Sequence, residues 1–470
     1  MFNVFFASIL SYSVVCVILF LVGAVIGAAV NWYVDRYSWV KRFRSPWRRS
    51  DKLKRVYFDF IPILGWLNLR RLGESLPESG QVVGIDGKWF WVRPFLVELF
   101  LAVGLVLLYW WEVVLGGLLT EPEFAELSET TILRFAAHAF LFTLLLAASL
   151  TDLDDFVIPE NLTIAGTIAG LIFVTIFPQI LLPATELYLD KNGRERLTNY
   201  PVPLHFCSPD KVDVLRNYTE TNSIFSTQSQ QDETVTQKSN LSNSNSDNKE
   251  SRFMLGIQFS VITFFWLFWC FAMMDRVWYW QLSFRRALLL FFRNLSRSPS
   301  TKYWLLLAVV VPVLIFYFMF FSRVLGLINW YYLLTGFIGL AVGMWLIWSV
   351  RLVAGFALGV EAMGFGDVVL LGMIGVWVGW QSCVVIFFIA PFAGIIPSLI
   401  AMFSGRGRRV PYGPFLSIAA LLLIIFWSPI WCGVEPILFL SSVQVAVAVQ
   451  ILILLMGAIL ICWRKIRERL

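Results

Sequence analysis

Eleven apolar runs separated by short polar stretches dominate this 470-residue chain. A hydrocarbon layer of ~30 Å calls for about 20 apolar residues per helix. Runs of that kind lie near Phe5–Val30, Phe95–Leu115, Ile132–Leu150, Val157–Ile176, Phe253–Met274, Tyr303–Phe321, Trp330–Val350, Cys383–Phe403, Phe415–Cys432 and Val443–Cys462. A shorter run, Val368–Trp380, is expected either to cross or to re-enter. Composition agrees, with 58% hydrophobic and 14% charged residues, far from the soluble norm of about 25% charged. The expected fold class is an all-α polytopic membrane protein with about 10–11 transmembrane helices, the bilayer being its first partner.

Charge orients the map. Residues 31–93 hold 13 Lys/Arg against 6 Asp/Glu, which places that segment in the cytoplasm by the positive-inside rule. Alternation then puts the N-terminus outside, the acidic stretch 121–129 outside, and Arg285, Arg286, Arg293, Arg351, Arg406 and the C-terminal Arg464–Arg469 inside. The basic stretches agree only if the short run crosses. The net charge of +6 is then a property of cytoplasmic loops, and no aromatic-interleaved basic stripe suggests nucleic acid. The first run lacks a basic n-region and exceeds a signal core, so it is expected to be retained.

Four divisions follow. Residues 1–94 form a first helix and a cytoplasmic segment. Residues 95–177 carry apolar helices and a first key aspartate, and 253–470 carry the remaining helices and a second. Between them, 178–252 is polar, and 219–250 is mostly Ser, Thr, Asn and Gln; such a tract is expected to be partly disordered and extracytoplasmic.

Cys16, Cys207, Cys270, Cys383, Cys432 and Cys462 form no C-x-x-C pair, and His138 and His205 are far apart. No metal site is expected, and His138 reads as a packed residue. Carboxylates at span edges are more telling, because charge at such places is costly. Asp152 ends an apolar run, with Pro159 seven residues on; Asp154 and Asp155 read equally well as solvated or capping groups. Asp367 follows Glu361-Ala362-Met363-Gly364-Phe365-Gly366 and begins the short run. Each alone reads as a helix cap. Together they suffice for metal-free peptide hydrolysis, one carboxylate ionised as base and the other protonated to polarise the carbonyl. No G-x-S-x-G, H-E-x-x-H or Cys–His alternative is present.

These segments resemble the type IV prepilin peptidases. That family's first motif is Asp, six residues, Pro, as at Asp152 and Pro159. Its second runs Glu-x-Met-Gly-x-Gly-Asp with a Gly-x-Trp-x-Gly-Trp tail, matched by Glu361, Met363, Gly364, Gly366, Asp367, Gly375, Trp377, Gly379 and Trp380. Pro411-Tyr412-Gly413-Pro414-Phe415 resembles a third stretch, and segments around Asn31, Trp66 and Arg93–Glu98 resemble its N-terminal part. The resemblance implies that Asp152 and Asp367 are catalytic and that Pro159, Glu361, Gly364, Gly366, Pro411, Gly413 and Pro414 support them. The implied activity is removal of the leader of type IV prepilins or pseudopilins at the cytoplasmic face of the inner membrane. It also implies methylation of the new N-terminus from S-adenosylmethionine where that activity is retained; proteolysis itself needs no cofactor. The family's paired C-x-x-C motifs are missing here, and Val369 stands where a Lys is usual. A presenilin-like protease shares G-x-G-D but pairs it with Tyr-Asp and Pro-Ala-Leu, whereas here Thr151 precedes Asp152. A proton-coupled transporter would place its carboxylates near mid-membrane.

Overall fold

The computed structural model describes residues 2–39, 44, 45, 47, 57–75, 89–118, 128–189, 195–201, 243–274, 285, 286, 289, 290, 292, 293, 299–320, 330–359, 363–403, 410–438 and 442–467. Its helices follow the apolar runs: α1 (Phe2–Tyr37), α2 (Leu64–Ser75), α3 (Val92–Tyr109), α4 (Ser128–Asp155), α5 (Glu160–Ile176), α6 (Asn243–Met273), α7 (Pro299–Phe320), α8 (Trp330–Leu358), α9 (Phe365–Val378), α10 (Trp380–Phe403), α11 (Gly413–Ile425), α12 (Trp427–Leu438) and α13 (Ser442–Arg467). Eight of them are long and apolar enough to cross a bilayer. Two shorter apolar helices, α5 and α9, and one bent pair complete the correspondence with the runs. The chain is an all-α polytopic membrane protein, since helices alone satisfy their own backbone groups in hydrocarbon.

Three departures from the sequence expectation have physical reasons. The run Phe415–Cys432 is not one straight helix: α11 and the first part of α12 meet at 89°. The polar insert is not wholly irregular. Residues Pro183–Leu189 (β1) and Glu195–Pro201 (β2) pair as an antiparallel hairpin in which Pro183 opposes Pro201, and Trp427 Nε1 donates to the Pro183 carbonyl at 2.7 Å. The insert's last residues, from Asn243, already belong to α6, because the helix runs past the end of its apolar stretch. Residues 202–242, where the low-complexity tract falls, lie outside the described residues.

Helix α9 is the hub. Every residue from Asp367 to Val378 is buried, as expected of a helix that is apolar all round. At 14 residues it is about 21 Å long, shorter than a bilayer core, and Gly379 ends it at φ +86. Trp377 Nε1 donates to the Gly166 carbonyl of α5 at 3.1 Å, and α8, α10, α11 and α4 cover the rest.

The tightest contact is between α8 and α9. A Cβ added at Gly339 would lie 2.0 Å from the Gly375 carbonyl oxygen, and one at Gly375 would lie 2.2 Å from that of Gly339. Small residues let helices approach where lipid supplies no hydrophobic drive between them. Both obstacles are backbone, so no rotamer can relieve them. Gly339→Ala should therefore force the helices apart and lower stability by about 2 kcal/mol. Thermal aggregation of the detergent-solubilised variant, compared with the parent, measures this; equal midpoints would refute it.

Inside the bundle, a π-helical turn at Trp110–Val114 follows α3. It turns Glu112 inward, where its Oε1 lies 2.7 Å from His138 Nδ1, both side chains being buried. His138 is thus a packed residue paired with a carboxylate.

Candidate active site

The first aspartate segment holds three carboxylates at one helix end, each bound to a different partner. Asp152 Oδ2 accepts from the Gly413 backbone N–H at 2.9 Å. Asp154 pairs with Arg93 at 2.5 Å and with Arg44 at 2.9 Å. Asp155 Oδ2 accepts the Trp39 backbone N–H at 2.9 Å. Asp154 is therefore a buried ion-paired anchor to the segment after α1, and Asp155 ties down a loop amide. Neither is a simple solvated end.

The turn after α4 is strained. Phe156 has φ 55, a left-handed conformation that a residue with a bulky side chain adopts at a cost of roughly 1–2 kcal/mol. It lets the chain reverse within three residues, so that Pro159 serves as N-cap of α5. The reversal drives Ile158 inward.

The second aspartate is the third residue of α9, whose N-cap is Gly364. The Gly364 backbone N–H hydrogen-bonds the Asp367 carboxylate, which is the returning half of a capping box. Asp367 therefore caps its helix and also faces the site. The flanking glycines act through space rather than through unusual dihedrals. Gly364 has φ −70, and a Cβ at Gly366 would lie 3.0 Å from Ile158 Cβ.

The third segment closes the site. Gly413 is the first residue of α11, with Pro414 next, a position where the missing N–H is not needed. Ser417 Oγ donates to the Gly413 carbonyl at 3.0 Å, and Pro411 and Tyr412 lead in. A Cβ at Gly413 would lie 2.7 Å from Asp152 Oδ2 and 3.0 Å from Ile158 Cδ1. Ile158 is thus the wedge shared by Gly366 and Gly413, the segments that bring the two aspartates together. Burial and the nearby Asp367 carboxylate push the Tyr412 hydroxyl up.

The result is a pair of carboxylates within electrostatic range of one another, 5% and 7% exposed for Asp152 and Asp367. Arg351 of α8 lies within electrostatic range of Asp367, its guanidinium 5.8 Å from the Phe365 ring centroid. Of the sequence-selected residues, Asp152, Pro159, Gly364, Gly366, Asp367, Pro411, Gly413 and Pro414 fall in the three segments around the pair. Glu361 lies outside the described residues. Ile158 and Arg351 carried no signal as site residues in the sequence, and Tyr412 entered only within the third motif stretch. Ile158 stands just before the motif proline, and only the glycine contacts reveal its part. Among the described residues, no group of three or more His, Cys, Asp and Glu is arranged to hold a metal ion.

Comparison with known proteins finds similarity in one stretch of the chain. Residues 300–399 match the type IV leader peptidase family, a stretch that contains α8 and α9. The chain is 32% identical over 97 residues to a prepilin leader peptidase/N-methyltransferase of Burkholderia pseudomallei (strain K96243), covering 20% of this chain and 31% of that one. It is 30% identical over 99 residues to the protein of the same name from Aeromonas hydrophila, covering 19% and 32%. With the Pseudomonas aeruginosa protein of that name it shares 32% identity over 91 residues, covering 19% and 31%. The matched stretch spans about a third of the length of these relatives. No solved structure matches the chain. Residues 300–399, which carry Asp367 and its glycine segment, are thus similar to the type IV leader peptidase family.

Proposed function

We propose that the protein is a membrane aspartyl endopeptidase that removes the leader peptide of type IV prepilins or pseudopilins. The observation that carries this is the meeting of two buried carboxylates, Asp152 and Asp367, from separate helices at one end of the bundle. Carboxylates that close bind one proton between them, and their titrations belong to the pair. The ionised member takes a proton from a water molecule as its oxygen attacks the scissile carbonyl. The protonated member hydrogen-bonds the carbonyl oxygen and supports the tetrahedral intermediate. Collapse breaks the C–N bond, and the proton taken from water passes to the leaving amine. No metal or organic cofactor enters.

The placement suits a substrate with an extended leader in water followed by an apolar helix in lipid. The basic segment 31–93 supports an orientation with the site at the cytoplasmic face of the inner membrane, the N-terminus outside and the C-terminus inside. The relatives' names join the peptidase to N-methyltransferase activity. Methyl transfer here would draw on S-adenosylmethionine.

The test uses the full chain in vesicles with a pilin precursor from the same cell. Mass spectrometry of the product should show one cut just before the apolar helix, insensitive to chelators. A methyl-group mass increment on the new N-terminus, on adding S-adenosylmethionine, would report the second activity. An intact precursor under all conditions would overturn the reading.

A further inference from the structure

The short 3-10 turn Tyr57–Phe60 and helix α2 form an amphipathic element between α1 and α3 that is too short to cross. Its inner side is built. Trp66 and Leu69 are fully buried, packed with Phe90, Trp91 and Phe95. Asp59 is buried and accepts from Asn68 Nδ2.

Glu98 fixes its depth. That buried carboxylate accepts from the Ile63 backbone N–H at 2.6 Å, from Trp66 Nε1 at 2.8 Å and from Asn31 Nδ2 at 3.1 Å. Asn31 also donates to the Pro94 carbonyl at 2.9 Å. The spans containing Asn31 and Glu98 are Tyr12–Tyr37 and Val92–Val114. Asn31 directly follows the first apolar run, which ends at Val30, and Glu98 lies just inside the second, which begins at Phe95. The turn bearing Ile63 and Trp66 is therefore held level with the end of one apolar run and the start of the next. Ile63 sits there at φ 64, a strained state for a β-branched residue that its bond to Glu98 maintains. The Arg70 guanidinium lies 5.8 Å from the Trp91 ring centroid.

At that depth the outer side of the element is apolar. Tyr57, Phe58, Leu64 and Leu67 are 92%, 65%, 57% and 47% exposed. A face of this composition, held level with the ends of two apolar runs, meets the boundary of headgroups and acyl chains. From this we infer that residues 57–67 form a monotopic wedge inserted into the site-bearing leaflet, its outer face solvated by lipid at the boundary of headgroups and chains. Arg70 and Trp91 stand where the wedge leaves the chains, as aromatic and basic residues do at interfaces. The wedge is joined to α3, whose Arg93 holds Asp154 two residues beyond Asp152, so lipid packing around it bears on one wall of the site.

A diazirine-bearing amino acid placed at Leu64 or Leu67 in the full chain, irradiated in phosphatidylethanolamine–phosphatidylglycerol vesicles, tests this directly. Leu107, exposed in the middle of the α3 span, gives the reference yield. Lipid adducts at Leu67 within about threefold of those at Leu107 are expected. Water adducts as the main product would place the face in solvent, and protein adducts would place a polypeptide there; either overturns the wedge. If a substituted α2 fails to assemble, the same amino acid at Tyr57, which lies outside α2, gives a second reading. The outcome does not depend on the peptidase reading.

Discussion

Asp152→Asn and Asp367→Asn should each lower the rate of leader cleavage by about 10³-fold or more, with the protein inserted and folded as before. Asparagine keeps the shape of aspartate and an acceptor oxygen. At position 152 it still accepts the Gly413 N–H that Asp152 accepts at 2.9 Å; at position 367 it still accepts from the Gly364 amide that caps α9. What is lost is the ability to hold or give up a proton. On the proposed mechanism the pair shares one titration, so either change removes the whole of the acid–base cycle, and the double variant should be no slower than either single one. Asp154→Ala is the control. It strips Arg44 and Arg93 of their carboxylate, so stability should fall by up to about 3 kcal/mol, while turnover by the surviving folded protein persists. Initial rates with a synthetic precursor, normalised to folded protein, separate the cases. A single Asn variant at the parental rate would remove that residue from the chemistry.

Much of the membrane architecture could be read in advance because length and apolarity are local properties. Each described helix from α3 to α13 that lies in the bilayer answers to an apolar run, and α1 to the first. The break at Phe426 could not be read, because the apolar stretch continues through it and only contacts made by Trp427 with Pro183 reveal where α12 must point. The aspartates were legible for a different reason. A carboxylate at the edge of an apolar run is costly and so conspicuous, and two of them with proline and glycine at fixed offsets form a pattern. Their supporting roles were not legible. Glycines near Asp367 can serve either close approach or positive φ; Gly364 is at φ −70, and what Gly366 supplies is room for Ile158, which arrives from the turn between α4 and α5. Asp154 read as a solvated or capping group because sequence gives no sign that Arg44 and Arg93 converge on it. Likewise Asn31 and Trp66 lie 67 and 32 residues before Glu98, and only the folded chain shows the three as one buried hydrogen-bonded knot. In each case the missing information is which distant faces pack together.

Gly413→Ala should cost about 10²-fold in kcat while changing stability little and KM less than kcat. The added methyl would lie 2.7 Å from Asp152 Oδ2 and 3.0 Å from Ile158 Cδ1. Both obstacles are side-chain ends, unlike the backbone oxygen that opposes Gly339. Relief is thus cheap in stability: Asp152 rotates away from α11. Alanine at the first position of α11 also favours the helix by up to about 1 kcal/mol over glycine, which offsets part of the crowding. The relief is expensive in function, because the rotation breaks the N–H···Oδ2 bond that aims Asp152 and opens the gap across which it must share a proton with Asp367. A displacement near 1 Å suffices for about a 10²-fold loss. Ile158→Val in the Gly413→Ala background removes the Cδ1 that the new methyl meets, and should restore part of the rate if crowding is the cause. Thermal midpoints and steady-state kinetics on the single and double variants decide between a positioning role and a merely structural one. A Gly413→Ala protein that unfolds at lower temperature but turns over normally when folded would show that this glycine serves packing alone.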